Sequence, residues 1–352
     1  MYPKKILYCF AGSSVFGYRD IEMLQKEYVV SVSHFDLKNT FFGKAWSYLK
    51  YNFDVVWKII FIDVVIVNFG SWHTIFPVFL AKIFGKKSII ILGGFDAGNI
   101  PSLQYGVFYK PSILQWLMRK TYQAATYLCP VSEALVASIN TYADPSGEGY
   151  KIGLLHHMPE VKDKIRVIPT DYDNDFWYIN EAIDRKGILA LAYVYNIETY
   201  NLKGFDLITQ CAVKMPEYSF TFAGFSPEMV VYYQSKLPSN VQLISFVNNQ
   251  EARALYQRHK IFVLPSHTEG LPNTLCESML CGCLPIVSDV SVMPKIVHEL
   301  GYVLKRKDKQ DLKNLLEKAS QSNPDIEKMR NRIVTLYPIG QRFSNFQTLI
   351  EY

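Results

Sequence analysis

The chain has 352 residues, which suggests two domains, and 49% hydrophobic against 20% charged residues is ample for two buried cores. A net charge of +5 does not demand a nucleic-acid partner. The longest apolar run, residues 54–69, is broken by Lys58 and Asp63, which makes it too short and too charged for a spanning helix.

In the first half, strand-like and helix-like segments alternate. Residues 5–10 form a buried-type apolar run, ending in Ala11-Gly12 with a helical pattern over 20–27. Strand patterns follow at 28–34 and 63–68. A helix pattern over 76–84 is ended by Gly85, and a strand over 87–92 runs into Gly93-Gly94. Residues 115–124 read as a helix and 127–132 as a strand. Residues 143–164, rich in Gly, Pro and charge, read as a long surface insertion. No signal peptide is expected before Ile6, and the six scattered cysteines sit mostly in apolar runs, as reduced thiols of a cytoplasmic protein would. Cys281-Gly-Cys283 lacks a partner pair, so no metal site is expected.

A second alternation begins near Gly187. Strand patterns cover 188–195, 218–223, 241–246, 261–264 and 284–287, with helices over 205–214, 229–236, 250–258 and 274–281. Apolar strands alternating with helices predict parallel sheets covered on both faces. The expected boundaries are 1–180 and 181–342, with 343–352 as a helix packing back on the first half. Ligands of such sheets bind beyond the carboxyl ends of the strands, so the expected active site is a cleft between two facing domains.

Charge is uneven along the chain. Between residues 38 and 120 there are ten Lys or Arg against Asp54, Asp63 and Asp96, interleaved with aromatics such as Trp46, Phe53 and Trp57. Such a mixture suits an anionic membrane surface. The plainer alternative is that the aromatics are core and the lysines an ordinary solvated face.

The most informative stretch is Glu269-Gly-Leu-Pro-Asn-Thr-Leu-Cys-Glu277, between a buried-type strand and an apolar helix pattern. The N–H groups that open a helix form an anion site. Pro272 suits the first helical turn, Asn273 and Thr274 supply N–H groups and cap-like oxygens, and Gly282 suits a left-handed helix stop. Glu269 precedes those donors and Glu277 lies about a turn inside. One acid could therefore touch hydroxyls on each side of a bound diphosphate, as in a nucleotide sugar. The plainer alternative is an acidic helix start that serves only the macrodipole.

The stretch Pro265 to Pro285 closely resembles the E-x7-E signature of family 4 retaining glycosyltransferases, of GT-B fold. Leu202-Lys203-Gly204 resembles that family's K-G element and Phe222-Ala-Gly224-Phe-Ser-Pro227 its G-x-x-P turn. Val131-Ser132-Glu133 and Ile168-Pro169 resemble its linker elements. The resemblance implies two Rossmann-like domains with parallel sheets facing a central cleft. It also implies a metal-independent, retaining hexosyltransferase that needs no cofactor beyond a nucleotide-diphosphate sugar as co-substrate. Glu269 would contact the donor sugar, Glu277 would hold the ribose, and Lys203 would neutralise the diphosphate together with the backbone of Gly270, Leu271, Pro272, Asn273 and Thr274. Val247 would sit beside the base and Gly12 would admit a phosphate or acceptor. Asp96 would bond the sugar or orient the acceptor, so Glu269, Lys203 and Asp96 are the expected catalytic residues. The expected acceptor is a glycan or lipid-linked glycan of cell-surface polysaccharide synthesis, at the inner face of the cell membrane. No nucleic-acid partner is expected.

Each assignment has a plainer alternative. Lys203 could be a solvated loop lysine, Gly12 a simple turn, Asp96 a turn cap, and His267 a core histidine rather than a pocket residue. The arginine usual in the family shortly before the lysine is missing from residues 193–203, and Pro169-Thr-Asp171 replaces Pro-Asn-Gly. Two other functions stay open: a nucleotide-sugar-binding protein without transfer activity, and a nucleotide-sugar epimerase.

Overall fold

The computed structural model describes residues 3–12, 15–36, 38 and 40–352. They form two compact units. The first holds the residues up to Ser138, Lys151–Pro169 and Gly340–Tyr352; the second holds Ile139–Tyr150 and Thr170–Ile339.

The first unit is built on a wholly parallel sheet of β1 (Lys5–Ala11), β2 (Val29–Phe35), β3 (Val64–Asn68), β4 (Lys87–Leu92) and β5 (Tyr127–Pro130), in the order β2-β1-β3-β4-β5. Residues Val64 to Val67 and Ile89 to Leu92 are almost completely buried, as unbroken apolar strands in a sheet covered on both faces require. Its helices are α1 (Val15–Leu24), α2 (Phe41–Ile59), α3 (Trp72–Ile83) and α4 (Ile113–Ala124). The short strands β6 (Ser138–Asn140) and β7 (Tyr150–Ile152), at the two ends of the 139–150 segment that belongs to the second unit, pair with each other, and a short helix α5 (Leu154–His157) of the first unit follows. The expected surface insertion at 143–164 is therefore partly structured.

The second unit contains β8 (Ile188–Val194), α6 (Ile197–Leu202), α7 (Phe205–Lys214), β9 (Phe220–Phe225), α8 (Pro227–Tyr233), β10 (Val241–Ser245), α9 (Asn249–Arg258), β11 (Ile261–Leu264), α10 (Asn273–Leu280), β12 (Leu284–Ser288), α11 (Met293–Val297), β13 (Tyr302–Leu304), α12 (Lys309–Gln321) and α13 (Ile326–Leu336). Its sheet runs β10-β9-β8-β11-β12-β13, again parallel throughout. In both sheets the strand order reverses next to the first strand: between β1 and β3 in one, between β8 and β11 in the other. Ligands of open parallel sheets bind beyond such points, where the loops on either side diverge and leave a crevice.

The unit boundary falls at residues 169 and 170, not at 180. The reason is packing: Tyr172 and Trp177 are 2% and 4% exposed, Tyr172 bonds Asn273, and Trp177 meets the Tyr256 ring at 5.8 Å. The last helix, α14 (Gln341–Glu351), belongs to the first unit. Buried Arg342 ties it there, donating to both oxygens of Asp20 at 2.7 and 2.8 Å and to the Ile168 carbonyl at 3.0 Å.

Candidate functional site

The strand-reversal point of the second sheet brings several of the expected site residues together. β8 and β11 are neighbours, through Ile188 with Ile261 and Leu189 with Phe262. The chain leaving β8 turns through α6 to Lys203, and the chain leaving β11 runs through Pro265–Thr268 to Glu269. Two close backbone contacts lace these loops together. The His267 N–H donates to the Leu202 carbonyl at 2.8 Å. Gly204 sits at φ +75°, where a Cβ would stand 2.4 Å from the Pro265 carbonyl oxygen, so glycine is required by both conformation and space. The outcome is an ion pair, Lys203 Nζ to Glu269 Oε1 at 2.6 Å, with side chains 23% and 10% exposed.

Immediately after Glu269 the chain turns through buried Gly270, Leu271 and Pro272 into α10. Pro272 is the residue before the first helical one, a position earlier than the sequence pattern suggests, and no side chain among the described residues caps this end. The Asn273 Oδ1 is not a cap either, because it accepts the Tyr172 hydroxyl at 2.7 Å. The helix therefore opens with amides facing no capping oxygen, the condition for an anion site. Glu277 lies on the second turn, where its Oε2 accepts the Tyr256 hydroxyl at 3.3 Å. Burial first, and then the Glu277 charge, push the Tyr256 phenol well above its ordinary range, so it stays a donor. Gly282, at φ +86°, ends the helix as expected.

Behind the loop, Asn140 Nδ2 donates to the His267 carbonyl at 2.8 Å and the Tyr142 hydroxyl to the Pro265 carbonyl at 3.3 Å, both from Ile139–Tyr150 of the same unit. The His267 ring is 5.7 Å from the Tyr142 ring, and neither of its nitrogens has a hydrogen-bond partner among the described residues. Burial, reinforced by the Lys307 charge, lowers its pKa to about 4, so the ring is neutral at neutral pH. Lys307 itself pairs with Asp206 of α7 at 2.7 Å. The segment 193–203, where the resemblance leads to the expectation of an arginine, contains the short helix α6, begun by a reciprocal Asn196–Thr199 cap. Ahead of it stand exposed Tyr193 and Tyr195, with Tyr193 stacked on Phe246 at 4.6 Å and 9°. Val247, the residue expected beside a base, follows this aromatic pair and is half-buried. Tyr142, Lys307 and the Tyr193–Phe246 stack carry no local motif. The one available signal was the pairing of aromatics at the carboxyl ends of β8 and β10.

The first unit has its own pocket at the β1/β3 reversal point. Its volume is about 410 Å³, and its lining includes Ala11, Asn68, Phe69, Trp72, Gly93 and Tyr105. Asp96 contributes to the wall but is 1% exposed, and its carboxylate accepts N–H groups from Gly70, Gly93 and Gly94 at 2.9, 3.0 and 2.9 Å. Burial raises its pKa while those three donors lower it. Its oxygens organise the glycine loop, which is the turn-cap alternative in an extended form. Gly12, at φ +60°, has its N–H on the Phe35 carbonyl at 3.1 Å, and its carbonyl meets His34 Nε2 at 2.9 Å.

Comparison with known proteins agrees with this layout. Residues 189–335 match the family model described as Glycosyl transferases group 1. A phosphatidylinositol N-acetylglucosaminyltransferase subunit from Homo sapiens is 25% identical over 190 residues, 51% of this chain and 38% of that protein. Its Arabidopsis thaliana counterpart is 27% identical over 145 residues, 38% of this chain and 32% of that protein. The serotype-specific mannosyltransferase WbdA of Escherichia coli is 32% identical over 83 residues, 23% of this chain and 10% of that protein. The chain thus spans about a third of the first two relatives and a tenth of the third. Among solved structures, sucrose-phosphate synthase from Thermosynechococcus elongatus superposes with a TM-score of 0.73 at 11% identity, covering 98% of both chains. Anabaena HepE, solved with UDP and glucose, gives 0.70 at 12% identity, covering 99% of this chain and 100% of that one. The chain therefore has the GT-B fold, and its second unit carries a match to the family model described as Glycosyl transferases group 1.

Proposed function

We propose that this protein is a metal-independent, retaining glycosyltransferase of the family 4 type, moving a sugar from a nucleotide-diphosphate donor to an acceptor hydroxyl. The observation that carries the reading is the Lys203–Glu269 pair at the β8/β11 reversal point, next to the uncapped start of α10. Cleaving the sugar–phosphate bond leaves a diphosphate whose negative charge grows along the reaction. A lysine and fixed helix amides stabilise that charge most where it is largest, in the transition state. Lys203 would turn from Glu269 to the diphosphate, freeing the Glu269 carboxylate for the sugar hydroxyls. Glu277, steadied by Tyr256, would accept the two ribose hydroxyls. The exposed Tyr193–Phe246 stack, next to Val247, offers a face for the base.

The first unit would take the acceptor in its aromatic-lined pocket. The proposed acceptor is a glycan or lipid-linked glycan of surface polysaccharide synthesis, reached from a peripheral position on the inner face of the cell membrane. The relatives' names include N-acetylglucosaminyl and mannosyl transfer, so UDP- and GDP-linked hexoses are the first donors to test.

The test is nucleotide release from UDP-glucose, UDP-N-acetylglucosamine and GDP-mannose with candidate acceptors, beside Glu277→Ala. The variant should weaken UDP or GDP binding roughly 10- to 100-fold, the range for a lost hydrogen bond to a charged group. It should weaken the 2′-deoxy nucleotide, which keeps only the 3′-hydroxyl, by less. Binding without release from any donor would leave only the binding-protein reading. Equal losses for ribose and deoxyribose nucleotides would refute the role of Glu277.

A further inference from the structure

Helix α2 is apolar on two opposite faces, and the fold uses one. Ser47, Tyr51, Val55 and Ile59, at most 8% exposed, point into the first unit. On the other side Trp46, Leu49, Phe53, Val56, Trp57 and Ile60 are 71, 64, 74, 40, 68 and 54% exposed. At 100° per residue these six fall within an arc of about 100°, and at 1.5 Å per residue they form a stripe about 21 Å long. An apolar helix is normally covered on all sides; here a continuous aromatic strip faces solvent, larger than the scattered exposed apolar residues of an ordinary surface.

We propose that the outer face of α2 lies in the headgroup region of an anionic lipid bilayer, with its axis in the membrane plane. This deepens the peripheral-membrane part of the proposed function by assigning it to one helix face. Composition and charge point to lipid. Trp46, Phe53 and Trp57 make up half of the strip, the aromatic share seen in helices that lie in the interface. Within the arc there is no charge, and Lys50 sits at its edge, exposed and without an ion pair among the described residues. The one acid of α2, Asp54, is already occupied by Ser33 Oγ and Lys58 Nζ, each at 2.6 Å. Anionic headgroups complement this unpaired Lys50 at the edge of the strip. No described helix is long and apolar enough to cross a membrane.

The structure also redraws the basic surface expected from residues 38–120. Lys38 and Lys58 pair with Asp36 and Asp54. Lys87 is drawn to the Leu349 and Ile350 carbonyls and Arg119 to the His157 carbonyl. Along the α2 strip itself the attachment is therefore chiefly apolar insertion, with Lys50 as its electrostatic part.

The test is flotation of the full chain with phosphatidylcholine vesicles and with vesicles containing about a third phosphatidylglycerol. Wild-type protein should float with the anionic vesicles, keep at least half of that binding in 0.5 M salt, and show tryptophan quenching by brominated lipid. Trp46→Glu/Phe53→Glu, which changes two solvent-facing side chains, should lose at least tenfold in vesicle binding. Wild-type protein that stays in the dense fraction with both vesicles overturns the proposal. So does a folded variant that floats like wild type, or flotation without quenching. Self-association that the variant abolishes, with no vesicle binding, would instead assign the face to a second copy. Nucleotide release in solution needs no membrane, so its survival in the variant would separate failure here from failure of the glycosyltransferase reading.

Discussion

Lys203→Met is the perturbation that most directly probes the site. In the structure its ammonium is 2.6 Å from Glu269 Oε1, and the carboxylate side chain is only 10% exposed. Solvent-exposed pairs contribute about 0–1 kcal/mol, whereas orphaning one member of a fully buried pair costs about 3–5 kcal/mol. With Lys203 still 23% exposed, the loss lies between these limits, about 2 kcal/mol. For a unit of this size that corresponds to a fall of roughly 4–8 °C in melting midpoint. The double variant Lys203→Met/Glu269→Gln leaves no unpaired charge and should regain most of the loss. Function separates the two residues further. Glu269→Gln frees Lys203 from its internal counter-ion, so UDP or GDP should bind about tenfold tighter, equivalent to about 1.4 kcal/mol, while sugar transfer falls. Lys203→Met should weaken the same nucleotides. Thermal melts and calorimetric titration of the four proteins complete the cycle. If Glu269→Gln weakens nucleotide binding as much as Lys203→Met does, the carboxylate is not competing for the lysine and the switching argument fails.

Three other outcomes follow from the geometry. Gly204→Ala puts a methyl 2.4 Å from the Pro265 carbonyl at φ +75°, and should cost roughly 2–4 kcal/mol and detach Lys203 from its partner; an unchanged melt and unchanged nucleotide affinity would refute the lacing. Asp96→Asn replaces a carboxylate that accepts three N–H groups, so the first unit should lose about 2–4 kcal/mol in melts; full stability with lost activity would favour a direct role in transfer. Burial pushes His73 and His267 down to about 4 from an ordinary value of 6.5. The unfolded chain therefore takes up these protons first, so stability is full above pH 6.5 and falls as the pH drops towards 4, by about 3 kcal/mol for each ring at 1.36 kcal/mol per unit. Melts of wild type and of His73→Gln at pH 7.5 and 5 check the sign, and stability rising on acidification would contradict it.

What the sequence showed was whatever depends on near neighbours. The central strands of both sheets are apolar runs, and residues 269–277 place two acids around a helix start within nine positions, so both were readable without a fold. The Lys203–Glu269 contact spans 66 positions and depends on a backbone bond between Leu202 and His267, which no spacing encodes. Asp96 is similar: its role comes from the approach of Gly70, 26 residues earlier. Helix α2 went unassigned because a helix apolar on both faces lacks the one-sided period that betrays a helix. At β13 there are only three residues, and α12 and α13 carry too much charge to offer an apolar run. The shifted unit boundary depends on where Tyr172 and Trp177 pack, and composition gave no sign of it.

The two sheets present the same kind of site with opposite chemistry. At the β8/β11 reversal point a lysine, a partly desolvated carboxylate and an uncapped helix start stand together. At the β1/β3 point the wall is aromatic, and its one carboxylate is already satisfied by three amides of its own loop. An anionic leaving group gains most at the first and little at the second, because stabilising a growing charge takes polar groups already aimed at it. A ring-shaped, hydroxyl-bearing acceptor has the reverse preference, since aromatic walls and a satisfied loop cost it little desolvation. The division of labour between the proposed donor and acceptor units therefore follows from which polar groups each reversal point leaves available, and exchanging the loops at 93–98 and 269–274 should abolish nucleotide binding in the second unit without creating it in the first.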